Sequence, residues 1–513
     1  MKSGIPFLVA VIVANGSACA QESRATQSVS VGQDVLAAAA SITRADYLRK
    51  ISVIAHDSMG GRDTPSPGLD ATAEWVASEF ALLGLKPGGD DGSYIQRYAI
   101  EVVRPDLISS SAEVSGGGAL RFGRDLISPL GAEEGDFEGE VVVLSGSGEI
   151  SPDLVADIAG KHVIVVSMPR GLDRDGRRFA TDLRGSGALS VIVATDRPDS
   201  EWERGVRNIS RRTSVRVGFN GARGGGISLE VRDRAIEPIL AAHGVDLRAA
   251  RGRRDAAVME VRGLTLLLSP RLEILDRQLA PNVVGILEGS DPELKDEYVA
   301  FSAHIDHIGT GAPNAEGDTI SNGADDDASG TTAILEIAEA YASLETKPRR
   351  SMIFLLVSGE EKGLWGSKYF VENPPVPIGQ VVADLNADMI GRNWTDTIVA
   401  IGKEHSDLGE TLNAVNRAHP ELGMTAIDDL WPEERFYFRS DHYNFAKMGV
   451  PILFFFNGTH GDYHGRDDEV DRIDTDKAAR ISKLIFYLGY EVANRVERPQ
   501  WNPESFRQIV SDR

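Results

Sequence analysis

Three features of the stretch after Asn282 predict an α/β protein built on a mixed, mostly parallel sheet sandwiched by helices. Short apolar runs alternate there with loops and amphipathic segments, the rhythm of a sheet covered on both faces. The run Met352–Val357 is almost wholly apolar, as a strand buried on both sides must be. Between the first two runs, Ile334, Ile337, Ala338 and Tyr341 fall on one helical stripe. At 513 residues the chain exceeds one ordinary core, so two domains are expected.

The N-terminus reads as a processing signal. Lys2 precedes an apolar stretch from Ile5 to Ala14 that is too short to cross a bilayer, and Ala18-Cys19-Ala20 follows. An export signal over residues 1–20 is expected, with a periplasmic or extracellular destination. Cys19 is the single cysteine, so cleavage after Ala20 leaves no disulfide despite that destination. Lipid attachment at Cys19 is the alternative, although Gly16 stands where such a signal has Leu. No later apolar run is long enough for a transmembrane helix, so stable membrane insertion is not expected. The formal charge of −23 argues against nucleic acid and anionic membrane surfaces as partners.

Residues 21–40, rich in Ser, Ala and Gln, read as a flexible leader. Residues 41–105 open the main domain with a helix from Ala71 to Leu83, capped by Asp70 and stopped by Gly84. From 106 to 265 the texture changes: Gly-rich turns separate short β-type runs, including Val141–Leu144, His162–Val166 and Leu189–Val193. This segment reads as a β-rich insertion. Its Arg-rich loops at 204–212 and 248–254 are interleaved with acidic residues and suit a solvated face. Residues 266–495 return to the main domain, and 496–513 form a C-terminal tail.

Every strand expected after Tyr298 runs into a chemically loaded loop. Tyr298–Ala303 meets His304, Met352–Val357 meets Glu360-Glu361, Val381–Ala387 meets Asp388, and Val450–Phe456 leads toward His464. Open α/β sheets bind ligands at that edge. His304, Asp326, Glu361, Asp388 and His464 form an imidazole and carboxylate set with no thiol, which suits two divalent ions, zinc first, sharing one carboxylate.

Individual roles follow from local geometry. In His304-Ile305-Asp306-His307, residues two apart on an extended stretch share a side, so Asp306 orients the imidazole of His304; His307 is left to the pocket rim or solvent. In Gly323-Ala324-Asp325-Asp326-Asp327-Ala328-Ser329-Gly330, three adjacent aspartates need positive charge among them. One is expected to cap the helix, while the glycines bring Asp326 into the site. Glu361 is assigned as a ligand and its neighbour Glu360 as the general base. Ser440-Asp441-His442 is expected to cap a short helix and to wall the pocket. Tyr463 lines the pocket, and His460 is a loop histidine.

Together the motifs AHIDH (303–307), GADDDASG (323–330), SGEEKG (358–363), NADMIG (386–391), SDH (440–442) and DYH (462–464) resemble the dizinc exopeptidase family of bacterial leucyl aminopeptidase and glutamate carboxypeptidase. The resemblance covers about 40–105 and 271–494. It implies a zinc exopeptidase, phosphorylase/hydrolase-like fold and two Zn2+ per chain bridged by Asp326. His304 and Asp388 would complete one ion, and Glu361 and His464 the other. It also implies a cis peptide bond after Asp326 and a protease-associated (PA) domain as the insertion. The expected activity is an aminopeptidase acting on peptide substrates. A carboxypeptidase gripping a carboxylate with Arg392 or Arg439, a single-zinc glutaminyl cyclase and a metal-free receptor-like relative are the alternatives.

Overall fold

The four strands that aim at the candidate site lie side by side and parallel at the centre of one sheet. Their order is 351–357, 298–304, 381–387, 452–455, with His304 opposite Val357 and Ser302 opposite Asn386. The computed structural model describes residues 32–510 except 117, 129–133, 147–151, 169–171, 173, 219–225 and 254–255. The export signal expected over 1–20 falls outside them.

The central strands are mainly apolar, with buried polar exceptions such as Ser302, Asp384 and Asn386, and each is buried on both faces. One face carries Phe301, Ala303, Phe354 and Leu385 against the helices Gly330–Ser343 and Thr475–Asn494. The other carries Ala300, Ile353, Leu355 and Phe454 among Phe370 of the Trp365–Glu372 helix and Phe445 of the His442–Lys447 helix. Antiparallel strands extend the sheet on both sides, Leu272–Leu287 next to 351–357 and Thr397–Ile401 next to 452–455. The sheet has ten strands in all, mixed with a parallel centre. Among the described residues no helix is long and apolar enough to cross a membrane.

The helix expected from Ala71 begins earlier, at Pro67, and runs to Leu82. Its cap is Ser66, which accepts from the Leu69 amide, and Pro67 at the first helical position loses no hydrogen bond. Asp70 lies inside the helix and pairs with Arg97 at 2.9 Å instead of capping. Gly84, with φ +72°, follows the helix end.

The leader expected to be flexible through residue 40 is not so over its last part. Gln33–Ser41 is a helix that buries Val35, Ala38 and Ala39 in the main core. Ala38 and Ala39 face the core with Val35, while Ala37 and Ala40 are exposed. The expected C-terminal tail is likewise docked: Pro503–Ile509 is a helix with Ile509 buried, and Trp501 Nε1 donates to Gly449 O at 2.8 Å.

Between the two parts of the main domain lies a second, eight-stranded sheet whose strands run from Ser111 to Ser269. Its centre is parallel (137–145, 162–165, 190–195, 227–232) and it is more helical than its Gly-rich sequence suggests. Most of the Arg-rich residues are helical instead of in loops: 204–211 lie in Asp199–Arg211 and 248–251 in Leu247–Arg251, and Arg251 pairs with Asp233. The strand Ser214–Val217 leaves this sheet and pairs with Ile95–Pro105 at the edge of the main one.

Candidate metal centre and pocket

The DDD loop is the pivot of the site, and each aspartate does something different. Asp327 is the capping residue of the three: Oδ1 accepts from the Gly330 amide at 2.8 Å and from Met389 N at 3.2 Å, while Oδ2 accepts from His304 N at 3.2 Å. Asp325 Oδ1 accepts from Gly391 N at 2.6 Å, tying the loop to the Asp388 segment. Asp326 uses neither carboxylate oxygen for the backbone and turns both toward imidazoles. The bond between Asp326 and Asp327 is cis.

Glycines let the loop come this close. At Gly323, with φ +55°, an added Cβ would stand 2.5 Å from the His307 ring and 2.2 Å from Asp326 O. At Gly330 it would meet Ala387 O at 2.1 Å.

Asp326 is divided between two groups of residues. Oδ1 lies 3.3 Å from His304 Nε2, which is itself 3.7 Å from Asp388 Oδ1. Oδ2 lies 3.2 Å from His464 Nε2, which is 3.2 Å from Glu361 Oε2. Donors about 2.0–2.2 Å from a tetrahedral zinc are roughly 3.3–3.5 Å from each other, so three of these spacings fit that shell and the Asp388 one is slightly wide. Asp388 Oδ1 and Glu361 Oε1 are buried with no hydrogen-bond partner among the described residues. The donors and the carboxylate excess of the site fit a pair of divalent cations.

The electrostatics agree with that fit. Burial pushes the Glu360 and Asp388 carboxyls above their usual range, and neighbouring carboxylates add to it. Burial also works to raise Asp326, but His307, His304 and His464 outweigh it and hold Asp326 well below the ordinary range. Against burial, Asp326 and Glu361 push the His464 imidazole up to about 10. Carboxylates that draw positive charge this strongly are what cations compensate.

His304 is oriented by Asp306 in a way the spacing did not anticipate. Its Nδ1 is 3.1 Å from the Asp306 backbone carbonyl and 3.7 Å from the carboxylate. Since a carbonyl can only accept, the proton is assigned to Nδ1, leaving the Nε2 lone pair facing Asp326 and Asp388. The Asp306 carboxylate instead accepts from Thr64 Oγ1 at 2.9 Å and from the Glu360 amide at 3.3 Å.

Two expectations are corrected here. His307 is not at the rim: it is fully buried, with Nδ1 2.9 Å from Glu361 Oε1. Asp441 makes no side-chain cap for the 442–447 helix, and both its oxygens are buried without a hydrogen-bond partner. His460 is a loop residue, as expected, with its side chain packed beside Asp325, Nε2 to Oδ2 3.3 Å. Ser440 does wall the pocket, and its hydroxyl also donates to Asp388 Oδ2 at 3.1 Å.

Two residues that sequence reasoning missed build the frame. Asp468 takes the Asp325 amide on both oxygens, at 3.0 and 3.1 Å, and the Asp326 amide on Oδ2 at 3.1 Å. Arg62 is fully buried and donates to the carbonyls of Ile305, Ile54, Asn322 and Gly323 at 2.7–3.0 Å. The one sequence signal for Arg62 is the Gly60-Gly61 pair before it, which marks a tight loop. Nothing local marks Asp468.

His304, Asp326, Asp388 and Glu360 face one open pocket. Its walls are Met389, Phe436, Phe454, Phe456 and Tyr463, with Arg439 at the side. Arg392 is held by Asp462 at 2.7 Å.

Residues 282–489 match peptidase family M28. The chain is similar to a probable leucine aminopeptidase of Arthroderma benhamiae, 28% identical over 229 residues that cover 42% of this chain and 58% of the relative. It is 23% identical over 253 residues to the aminopeptidase YwaD of Bacillus subtilis, covering 47% of this chain and 51% of that protein. A solved zinc aminopeptidase from Bacillus subtilis is 17% identical, with a TM-score of 0.45 over 88% of this chain and 96% of the other. The chain thus spans little more than half the length of these curated relatives. Residues 282–489, the part of the chain that carries the strands and loops of the site, thus resemble peptidase family M28.

Proposed function

We propose that this protein is an exported, zinc-dependent aminopeptidase that uses two zinc ions. The observation that carries the reading is the division of Asp326, one oxygen toward His304 and Asp388 and the other toward His464 and Glu361. His304, Asp388 and Asp326 would hold one ion, and His464, Glu361 and Asp326 the other. When bound, the ions would polarise the scissile carbonyl and acidify the attacking water.

Glu360 faces the same pocket as the bridging carboxylate and is not needed as a ligand. It takes the proton of the water as the water oxygen bonds to the carbonyl carbon, then returns it to the amine as the C–N bond breaks. Asp306 accepts from the Glu360 amide and so fixes where this glutamate starts. The aromatic wall excludes water and takes the apolar part of the substrate.

A carboxypeptidase is the second reading, because Arg439 lines the pocket and could receive a terminal carboxylate. A panel of free, N-blocked and C-blocked peptides, run with zinc quantification, tests both. Cleavage that requires a free amino terminus, with two zincs per chain and loss on chelation, is the expected result. Cleavage that requires a free carboxylate favours the second reading, and hydrolysis that survives removal of all metal defeats both. Export through residues 1–20 belongs to the proposal, as does a protease-associated role for the second sheet. The mature protein from a periplasmic or medium fraction should begin at Gln21.

A further inference from the structure

His307 groups with Asp326 and Glu361 closely enough to share a cation, yet the two-zinc arrangement proposed above assigns it no ligand role and nothing in the proposed reaction uses it. Its ring is fully buried, wedged beneath Gly323 in a space that tolerates no added Cβ. Nδ1 is 2.9 Å from Glu361 Oε1 and 3.7 Å from Asp326 Oδ2. Neither ring nitrogen, nor Glu361 Oε1, makes a regular hydrogen bond to any described residue, so Nδ1 and Oε1 stand close without being aligned.

The two oxygens of Glu361 are therefore divided as those of Asp326 are. Oε2 is the one near His464, 3.2 Å away, and Oε1 is the one near His307. A glutamate side chain has three rotatable bonds, and ordering it is costly unless its second oxygen is engaged. Carboxylates that hold a metal are ordinarily hydrogen-bonded by an outer partner, whose loss weakens metal affinity about 10–100-fold.

We propose that His307 is a positioning residue for one of the two ions: Nδ1–H donates to Glu361 Oε1 and presents Oε2 to the ion shared with His464. The inference rests on the two-zinc reading. It predicts inequivalent ions, since the His304 and Asp388 side has no contact with His307.

The test compares His307→Ala and His307→Asn in the full chain. The Asn amide offers a donor close to where Nδ1 stands, and Ala offers none. Zinc affinities are read by chelator competition, with the melting temperature of the metal-free proteins as the control for packing. The expected result is two zincs in the wild type, with one of the two bound about 10–100-fold more weakly in His307→Ala. His307→Asn should recover most of that affinity. Unchanged affinity in His307→Ala, equal weakening of both ions, or failure of Asn to restore binding overturns the proposal. A wild-type chain that takes up no zinc instead overturns the metal reading beneath it, so the two failures are distinct.

Discussion

Ser440 Oγ donates to Asp388 Oδ2 at 3.1 Å, leaving Oδ1 as the oxygen that faces His304. The SDH segment thus reaches the candidate metal centre through its serine. That hydroxyl does for Asp388 what His307 is proposed to do for Glu361.

Ser440→Ala should weaken the ion on the His304 side about tenfold and leave the other unchanged. Chelator competition on the zinc-loaded protein reads this directly. Equal loss at both ions would show that the hydroxyl acts on the loop as a whole.

Replacing Glu360 by Ala should retain both zincs and lower turnover at least about 10²-fold, the loss expected for a general base. Zinc content and kcat on a free peptide are measured on one preparation. Near wild-type turnover would remove Glu360 from the proton-transfer role.

Arg62→Met leaves four carbonyls, one at the end of the Arg44–Ile54 helix and three at 305 and 322–323, without the donor of a fully buried side chain. Burial pulls this guanidinium down to about 10, which still leaves it charged at neutral pH. Unsatisfied buried acceptors cost about 1–3 kcal/mol each, so a loss of at least about 3 kcal/mol is expected by denaturant titration of the metal-free protein. A shift below about 1 kcal/mol would show that the loops hold themselves.

Acid should destabilise the second sheet through His162. The ring is buried between Ser190 Oγ at 2.8 Å and Leu266 O at 2.9 Å. The carbonyl accepts only, so Nε2 is assigned the proton and Nδ1 accepts from the serine. Burial lowers its pKa from 6.5 to about 4, a cost that its backbone hydrogen bonds only partly offset. The unfolded chain therefore binds the proton first. Stability held above pH 6.5 is lost as pH falls to about 4 and then levels off, by roughly 3 kcal/mol. His162→Gln should flatten that part of the melting-temperature profile, and an unchanged profile would place the acid sensitivity elsewhere.

Much of the architecture was legible in the sequence because it follows from local periodicity. An apolar run such as Met352–Val357 can only be a strand covered on both faces, and Ile334 to Tyr341 can only cover one of them. The parallel order then delivers His304, Glu361, Asp388 and the His464 loop to a single edge. The helix at 33–41 escaped because an alanine-rich face carries little contrast until a partner surface is known. The cap at Ser66 was missed because Asp70, inside the helix, is an equally good capping residue type.

Residue type and spacing alone determined that carboxylates and imidazoles would gather at the strand ends and that an Asp-rich loop would join them. Only the tertiary structure decided which oxygen faces which ring, that His307 is buried, that Asp441 caps nothing, and that Arg62 and Asp468 frame the loop. Those relationships join residues far apart in the chain. A buried polar group is defined by the partners that replace its water, and those partners exist only once the distant loops have packed.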